Sequence, residues 1–283
     1  AMASSTVFKD DLFGRKTAAR KAWGLSLADD TEFWGTYALQ ANVEDIKACL
    51  KHEDRVYLTM INTQKEAIIA GEIAACQRVI AQLKCKAFKV PFNGVLHCNT
   101  VDTLLYDTFV NLHTLPVHPV SDIDFYSAVD CAPIALNTES VAHNIGKTIG
   151  NRVDFPRIVN KVYAEGARIF VDLGPRGSAA TWIKQILENQ THVVATVDRK
   201  GKDNYAPYVK ALATLLSHQV AVDLSPLYDT EPMKNLKQKA LIKTVQLGGQ
   251  RIDDTILSTP NTFLKQEDPH SSTTELVIAA PYK

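Results

Sequence analysis

The stretch Arg55-Val-Tyr-Leu-Thr-Met-Ile-Asn-Thr63 is followed, after a short polar turn, by Glu66-Ala-Ile-Ile-Ala-Gly-Glu72. Both segments are rich in apolar and β-branched residues, and their lengths suit strands better than helices. Two such segments joined by a short polar turn predict a β-hairpin. The patterns on either side of this hairpin extend the prediction to a larger unit.

Helix and strand patterns alternate around the hairpin. Before it, residues 34–41 alternate like a strand and residues 43–52 repeat with a helical period. After it, residues 73–85 have a helical period and residues 86–91 form a last short strand. The order β-α-β-β-α-β predicts a ferredoxin-like split βαβ unit over residues 34–91. An RNA-binding module can share this order, but these strands lack the paired aromatic and basic residues that stack on and hold bases.

His97 lies just beyond this unit, in the stretch Lys89-Val-Pro-Phe-Asn-Gly-Val-Leu-His-Cys-Asn99, ahead of a predicted helix. Imidazole titrates near neutral pH, so a histidine at the seam between two structural units is suited to act as a general base. The alternative is a half-buried loop histidine that bonds to the backbone. Cys98 is disfavoured as a nucleophile, because adjacent side chains diverge, and a buried inert thiol is its alternative.

Beyond His97, helical patterns alternate with short apolar strands, which is typical of a mostly parallel sheet covered by helices on both faces. The turn Val171-Asp-Leu-Gly-Pro-Arg-Gly-Ser178 joins a strand to a helix, a position that often lines a ligand cleft. It lacks the lysine and the glycine spacing of a phosphate loop. The predicted helices span 8–23, 101–115, 140–149, 155–165, 178–187 and 205–218, and the predicted strands span 123–129, 168–173 and 192–197.

Composition and short motifs indicate which kinds of partner, metal site and nucleophile this sequence supports. Thirty-one basic and 31 acidic residues give a formal net charge of +0, so electrostatics gives no reason to expect nucleic acid or an acidic membrane surface as partner. No apolar run is long enough to span a membrane. The 5 cysteines are scattered and include no C-x-x-C, which favours a reducing cytoplasm over a disulfide framework or a zinc site. The chain contains no G-x-S-x-G elbow, the turn that exposes a nucleophilic serine.

Together, the split βαβ unit, the histidine after it and the V-D-L-G-P turn resemble the acyl-CoA:acyl-carrier-protein transacylases. Several short segments are most similar to the acyltransferase region in the B-type subunits of polyunsaturated (omega-3) fatty acid synthases. The resemblance covers roughly residues 8 to 220. The segments that carry it are Asn62–Gly71, Ala75–Ile80, Asp154–Pro156, Val162–Ala164, Asp198–Gly201 and Leu216–His218.

The resemblance implies an α/β fold, in which a hydrolase-like, mostly parallel body is interrupted by the ferredoxin-like insert. It implies a serine–histidine mechanism that moves an acyl group from coenzyme A to the phosphopantetheine thiol of an acyl carrier protein. His97 matches the catalytic histidine, and Thr148 matches the residue whose backbone carbonyl orients its ring. Acyl-CoA and phosphopantetheine would be substrates, with no permanently bound cofactor or metal. The implied partners are the carrier protein and other synthase subunits or domains.

The sequence departs from the family pattern in two ways. The serine elbow would precede the first residues here, so we expect the N-terminal nucleophile-elbow part to be missing and the chain to be inactive alone. Malonyl-selective relatives carry an arginine that pairs with the substrate carboxylate, where this chain has Phe13, with Arg15 close by. This difference predicts an uncarboxylated acyl group, in a pocket that Val95 and Leu96 help to shape.

Three interpretations follow. The first is the histidine-bearing part of an acyltransferase, the second a non-catalytic megasynthase segment that docks a carrier protein, and the third a stand-alone β-α-β-β-α-β module. The third requires that the small unit does not pack onto the rest of the chain. The predicted domains are a helical segment (1–33), the ferredoxin-like subdomain (34–91), the remaining α/β body (92–219) and a linker or docking tail (220–283).

Overall fold

A computed structural model describes residues 5–100, 102–201 and 205–227 of the chain. The chain divides into two compact units, Ala1–Val194 and Ala195–Lys283. Most of the predicted tail (220–283) lies outside the described residues.

The first unit contains the predicted β-α-β-β-α-β element order. The elements are β1 (Trp34–Gln40), α2 (Val43–Leu50), β2 (Val56–Thr63), β3 (Glu66–Glu72), α3 (Ile73–Leu83) and β4 (Lys86–Lys89). Its strands form an antiparallel sheet in the order β4-β1-β3-β2, which is the ferredoxin-like order. Helices α2 and α3 cover one face of this sheet, and their apolar residues share a core with the strands. The element order predicted for this part of the chain is confirmed.

Local sequence explains how these elements begin and turn. The side chain of Asn42 caps α2 by accepting a hydrogen bond from the Glu44 N–H at 2.9 Å. Gly71 in β3 has φ +153°, and a Cβ there would lie 2.0 Å from the carbonyl oxygen of Arg55, the residue before β2. Glycine therefore allows β3 to approach β2 closely where α3 begins.

The rest of the first unit packs on the other face of this sheet. Trp34 of β1 and Ala70 of β3 share a buried apolar cluster with Phe109 of helix α4 (Asp102–His113). The indole N–H of Trp182 in α7 donates to Glu66 in β3 at 3.1 Å. The interpretation as a stand-alone module is therefore wrong. The further elements are α1 (Thr17–Ala22), α4 (Asp102–His113), β5 (Phe125–Tyr126), β6 (Pro133–Ile134), α5 (Thr138–Gly150), β7 (Val153–Asp154), α6 (Phe155–Ala164), β8 (Ile169–Asp172), α7 (Ser178–Ile186) and β9 (Val193–Thr196).

The N-terminal helix predicted over residues 8–23 is two helical pieces, a π-helical segment (Val7–Phe13) and α1. The helix is interrupted at Gly14, whose N–H donates a hydrogen bond to the carbonyl oxygen of Lys9 at 2.8 Å. Lys16 then takes a left-handed conformation with φ 54°, and its ammonium group donates to the carbonyl oxygen of Phe13 at 2.8 Å. The helical period of the apolar residues did not reveal this break.

The mostly parallel sheet predicted after His97 is not formed by the described strands. Within the described ranges, the strands fall in three separate sheets: β7 adds to β2 in parallel over two residue pairs, β5 and β6 pair antiparallel, and β8 and β9 form a two-stranded sheet of their own. The strand predicted at 123–129 is reduced to the two residues of β5. Strand β8 was expected to be buried, yet Ile169 and Val171 are exposed, because no described element covers that face.

The second unit begins within β9 and contains helix α8 (Tyr205–Ser217) and a short 3₁₀ turn (Ser225–Leu227). Pro207 and Ala211 are the buried residues on α8. Across the described parts of both units, none of the helices has the length and apolar character needed to span a bilayer.

Candidate active site

Main-chain hydrogen bonds hold the loop that contains His97 in place. The N–H of His97 donates to the carbonyl oxygen of Ile149 in α5 at 2.7 Å, and two residues earlier the Val95 N–H donates to the Leu12 carbonyl at 3.0 Å. His97 has φ 58°, a left-handed conformation that non-glycine residues rarely adopt. These contacts fix the loop after the ferredoxin-like unit between the N-terminal helical segment and α5.

The His97 ring is oriented by the last turn of α5. Its Nδ1 atom lies 2.7 Å from the carbonyl oxygen of Thr148. That carbonyl is among the last four of the helix, which have no partner within the helix. A carbonyl oxygen can only accept, so Nδ1 carries the hydrogen and the lone pair of the neutral ring falls on Nε2. This is the tautomer that a general base acting through Nε2 requires.

Burial lowers the pKa of His97 from its ordinary value of 6.5. Backbone hydrogen bonds to Thr148 and then Asn151 act in the opposite direction, because they favour the charged ring, but burial outweighs them. The neutral ring therefore predominates at neutral pH. An uncharged imidazole with its lone pair on Nε2 can take a proton from a hydroxyl or a thiol.

His97 lines a cavity of about 430 Å³, within the range that is typical of small-molecule sites. The lining comes from α2, β2, the His97 loop and the residues that follow α5. Besides His97, the charged side chains among its described lining residues are the basic ones of Lys47, Lys51 and Arg152. The lining residues are Lys47, Leu50, Lys51, Val56, Tyr57, Leu58, His97, Cys98, Asn99, Gly150, Asn151 and Arg152.

Cys98 is a poor candidate for the nucleophile. The residue is 4% exposed, and burial raises the pKa of its thiol to about 11. The thiolate is the reactive form of cysteine, and it is scarce at neutral pH when the pKa is this high. The burial and the raised pKa of Cys98 agree with the interpretation of this residue as a buried, inert thiol.

Phe13, Val95 and Leu96 lie around the His97 loop, but they do not line its cavity. The Phe13 ring packs on Gly94, where a Cβ would lie 2.4 Å from its Cε1 atom, and against the ring of Phe92 at 4.8 Å between centroids. Val95 is fully buried, and Leu96 is half-buried against the same apolar cluster. These residues form a wall behind the loop.

Arg15 is placed elsewhere. It pairs with Asp30 at 3.6 Å and lines a separate cavity with acidic residues around it. The structure therefore does not bring Arg15 to the His97 cavity. Sequence reasoning also missed most of the lining residues, among them Lys51, Tyr57 and Arg152, because they come from separate segments and no local motif marks them.

The fold can be compared with known structures. The acyltransferase domain from the second module of the salinomycin polyketide synthase superposes with a TM-score of 0.58 at 18% identity, over 76% of this chain and 50% of that domain. A malonyl-transacylase in complex with its type II polyketide synthase acyl carrier protein superposes with a TM-score of 0.55 at 18% identity, over 70% of this chain and 62% of that chain. The chain therefore has the mixed α/β fold of malonyl-CoA:acyl-carrier-protein transacylases and polyketide synthase acyltransferase domains.

Comparison of the sequence with known proteins finds a relative that aligns with most of this chain. The chain is 29% identical over 250 residues to the B-type subunit of the polyunsaturated fatty acid synthase from a Thraustochytrium species, covering 81% of this chain and 12% of that protein. The resemblance predicted from the sequence is confirmed. The chain spans about an eighth of this relative and about half of the salinomycin domain. No family model matches the sequence.

Proposed function

We propose that the chain carries the histidine part of an acyltransferase site, which moves acyl groups from coenzyme A to an acyl carrier protein in polyunsaturated fatty acid or polyketide-type synthesis. The contact between His97 Nδ1 and the Thr148 carbonyl oxygen carries this proposal, because it sets the tautomer of a base inside a cavity. The similarity to part of a fatty acid synthase and to transacylase folds supports the same chemistry.

In the proposed reaction, His97 handles the proton in both half-reactions. Nε2 takes the proton of a serine hydroxyl as its oxygen attacks the thioester carbonyl, and then gives that proton to the departing coenzyme A thiolate. In the second half-reaction Nε2 takes the proton of the phosphopantetheine thiol. The thiolate attacks the acyl-serine ester, and the proton returns to the serine oxygen.

The serine of this mechanism is proposed to lie outside the 283 residues, because they contain no G-x-S-x-G elbow. Cys98 cannot replace it readily, since its thiol is buried and its pKa is about 11. The chain by itself is then unable to form an acyl-enzyme. Acyl-CoA and phosphopantetheine act as substrates and not as bound cofactors.

An uncarboxylated acyl group is the proposed substrate. The position that matches the arginine of malonyl-selective enzymes holds Phe13, and its ring packs against Phe92 and Gly94. Arg15 lines a separate cavity beside Asp30 and so is not positioned for that role. In the proposal the acyl group lies on the Phe13 side of the His97 loop, where no cation would pair with a carboxylate, and an alkyl chain is favoured there because a carboxylate would lose its solvation without gaining a partner.

The proposed partners are the acyl carrier protein and the other domains or subunits of a synthase. We place the reaction in the cytoplasm, which the free thiols of Cys49, Cys76, Cys85, Cys98 and Cys131 support.

Transfer to a carrier protein tests the proposal. The chain would be combined, in trans or as a fusion, with a synthase segment that bears a serine elbow, and transfer from acetyl-CoA and longer acyl-CoA to holo carrier protein would be followed by mass spectrometry. We expect transfer that requires both the serine and His97.

The second candidate function is a non-catalytic segment that docks the carrier protein, and the absence of a serine elbow from this sequence favours it. Carrier binding with no transfer, even when the serine elbow is present, would select this candidate. A His97→Gln variant that binds the carrier equally well but transfers nothing would select the acyltransferase.

A further inference from the structure

Helix α5 ends at Gly150, beside the cavity that His97 lines. The last four carbonyl groups of an α-helix have no partner within the helix, and in α5 these belong to residues 147–150. His97 uses two of them. Its ring Nδ1 lies 2.7 Å from the Thr148 oxygen, and its main-chain N–H donates to the Ile149 oxygen at 2.7 Å. Two bonds therefore attach the candidate base to the end of this helix.

These two carbonyls are the ones that a longer α5 would use for itself. In an α-helix the N–H of each residue donates to the carbonyl oxygen four residues earlier. If α5 continued beyond its present end, the N–H of Arg152 would donate to the Thr148 oxygen. In the same way, the N–H of Val153 would donate to the Ile149 oxygen. His97 would then compete with the helix for both acceptors, so the orientation of its ring depends on where α5 ends.

Asn151 is the first residue beyond α5, and its backbone has left the helical conformation, with φ −120° and ψ 147°. Its side-chain amide donates to the Lys147 carbonyl oxygen at 2.8 Å. That oxygen is the acceptor that the main-chain N–H of residue 151 would use in a continuing helix. The Asn151 side chain thus replaces a helical bond, and the chain can leave the helix without an unpaired Lys147 carbonyl.

The chain becomes a strand directly after this cap. Strand β7 starts at Val153 and pairs in parallel with Met60 and Ile61 of β2. Because this pairing begins at Val153, it does not by itself set the conformation of the two residues between α5 and β7. Asn151 is one of these two residues, and its side chain favours an end to the helix over a further helical turn. Asn151 therefore lies at the point that decides how long α5 is.

We propose that Asn151 is a positioning residue for His97. Its side-chain amide ends α5 at Gly150, and this keeps the carbonyl oxygens of Thr148 and Ile149 available to the ring and the main chain of His97. The catalytic part of this inference rests on the acyltransferase function proposed above, in which His97 is the base. The structural part, the dependence of the His97 tautomer on the Asn151 amide, does not rest on that function and can be measured separately.

The tautomer of His97 in the 283-residue chain, without substrate and at neutral pH, tests the structural part. Long-range ¹H–¹⁵N NMR spectra distinguish a ring that carries its hydrogen on Nδ1 from one that carries it on Nε2, and His97→Gln assigns the signals among the 8 histidines. We expect the Nδ1–H form in the wild type and a mixture of both forms in Asn151→Ala, because alanine removes the cap and favours helix. An unchanged tautomer would overturn the proposal.

Asn160 provides a matched control, because its side-chain amide donates to the Pro156 carbonyl oxygen at 2.9 Å, the same kind of bond in helix α6. Asn160→Ala should keep the wild-type tautomer. Asn151→Gln retains an amide donor and should restore the Nδ1–H form, whereas Asn151→Leu, the second variant if Asn151→Ala does not fold, should give the mixture. An equal change in Asn160→Ala, or no recovery in Asn151→Gln, would contradict a specific role of the Asn151 amide.

Acyl transfer in the serine-complemented enzyme tests the catalytic part. Asn151→Ala should lower kcat by up to about 10²-fold, the effect of a displaced catalytic group, and change KM less, because the tautomer of the base affects proton transfer more than binding. A changed tautomer with an unchanged kcat would overturn the positioning role alone. If the complemented wild type transfers nothing, the acyltransferase proposal fails, and the tautomer measurement still decides whether Asn151 orients His97.

Discussion

The Nδ1 atom of His97 lies 2.7 Å from the carbonyl oxygen of Thr148, in the last turn of α5. This contact joins two segments that are far apart in the sequence, and it uses a main-chain group that any residue at position 148 would supply. The orientation of the His97 ring thus depends on the end of a helix and not on the side chain of residue 148.

The first prediction follows from that main-chain contact. In the serine-complemented enzyme, Thr148→Ala should leave the transfer rate within about twofold, because the carbonyl remains, whereas His97→Ala should lower it about 10²–10⁴-fold. Steady-state transfer to carrier protein measures both. A loss for Thr148→Ala as large as that for His97→Ala would show that the hydroxyl of Thr148, which donates to the Asn144 carbonyl, has an essential role.

The second prediction concerns pH. Burial lowers the pKa of His97, so the unfolded state binds its proton more readily than the folded state does. The contribution of His97 to the free energy of unfolding is therefore fully present above about pH 6.5, and it decreases as the pH falls through that value toward the lower folded-state pKa. Urea unfolding between about pH 5 and 7.5 should show a steeper decrease for the wild type than for His97→Gln. Identical slopes would contradict the buried neutral ring.

The third prediction concerns the close approach of β3 to β2. Gly71→Ala should lower the free energy of unfolding by about 1–3 kcal/mol or more, because the new Cβ would lie 2.0 Å from the Arg55 carbonyl oxygen at φ +153°. Gly166→Ala is the control, since Gly166 also has a positive φ of +111° but no atom within 4 Å of its Cβ position. If both variants lost the same stability, backbone conformation and not the collision would be the cause.

The fourth prediction concerns acyl selectivity. Phe13→Arg should raise kcat/KM for malonyl-CoA relative to acetyl-CoA by about tenfold or more, because an arginine at this position can pair with the carboxylate. Phe13→Leu keeps the wall apolar and should leave the ratio near that of the wild type. An unchanged ratio in Phe13→Arg would mean that Phe13 does not face the acyl group.

A fifth prediction distinguishes the two adjacent residues of the His97 loop. Cys98→Ser should keep most of the transfer activity, and Cys98 in the folded chain should resist alkylation by iodoacetamide at neutral pH, because its pKa is about 11. Peptide mass spectrometry before and after unfolding in urea measures this protection. Rapid alkylation of the folded chain would show that the thiol is accessible and reactive.

Much of the fold could be predicted from local patterns. The hairpin formed by β2 and β3 was visible because strand-forming segments are separated by a short polar turn, and helices such as α6 were predicted to within a few residues. The break at Gly14 could not be predicted, since it depends on a backbone contact with Lys9. The exposure of Ile169 and Val171 on β8 could not be predicted either, because an apolar strand pattern does not show which elements cover it.

The candidate site likewise contains residues that could be proposed from the sequence and residues that could not. His97 and Thr148 could be proposed from the resemblance, and the structure brings them together. Lys51, Tyr57 and Arg152 reach the cavity from the end of α2, from β2 and from the segment after α5. Only the tertiary arrangement brings these segments to one place, so the charge of the cavity could not be derived from spacing along the chain.

The central claim is that His97 is the base of an acyl transfer whose serine nucleophile is supplied from outside these 283 residues. Intact-protein mass after incubation with acetyl-, malonyl- and longer acyl-CoA tests it most directly, on the chain alone and on the chain combined with a serine elbow. We predict no adduct on the chain alone, and one acyl group on the serine segment that disappears with His97→Ala. A stoichiometric adduct on the chain alone, lost in His97→Ala, would contradict the claim and show that the nucleophile lies within these residues.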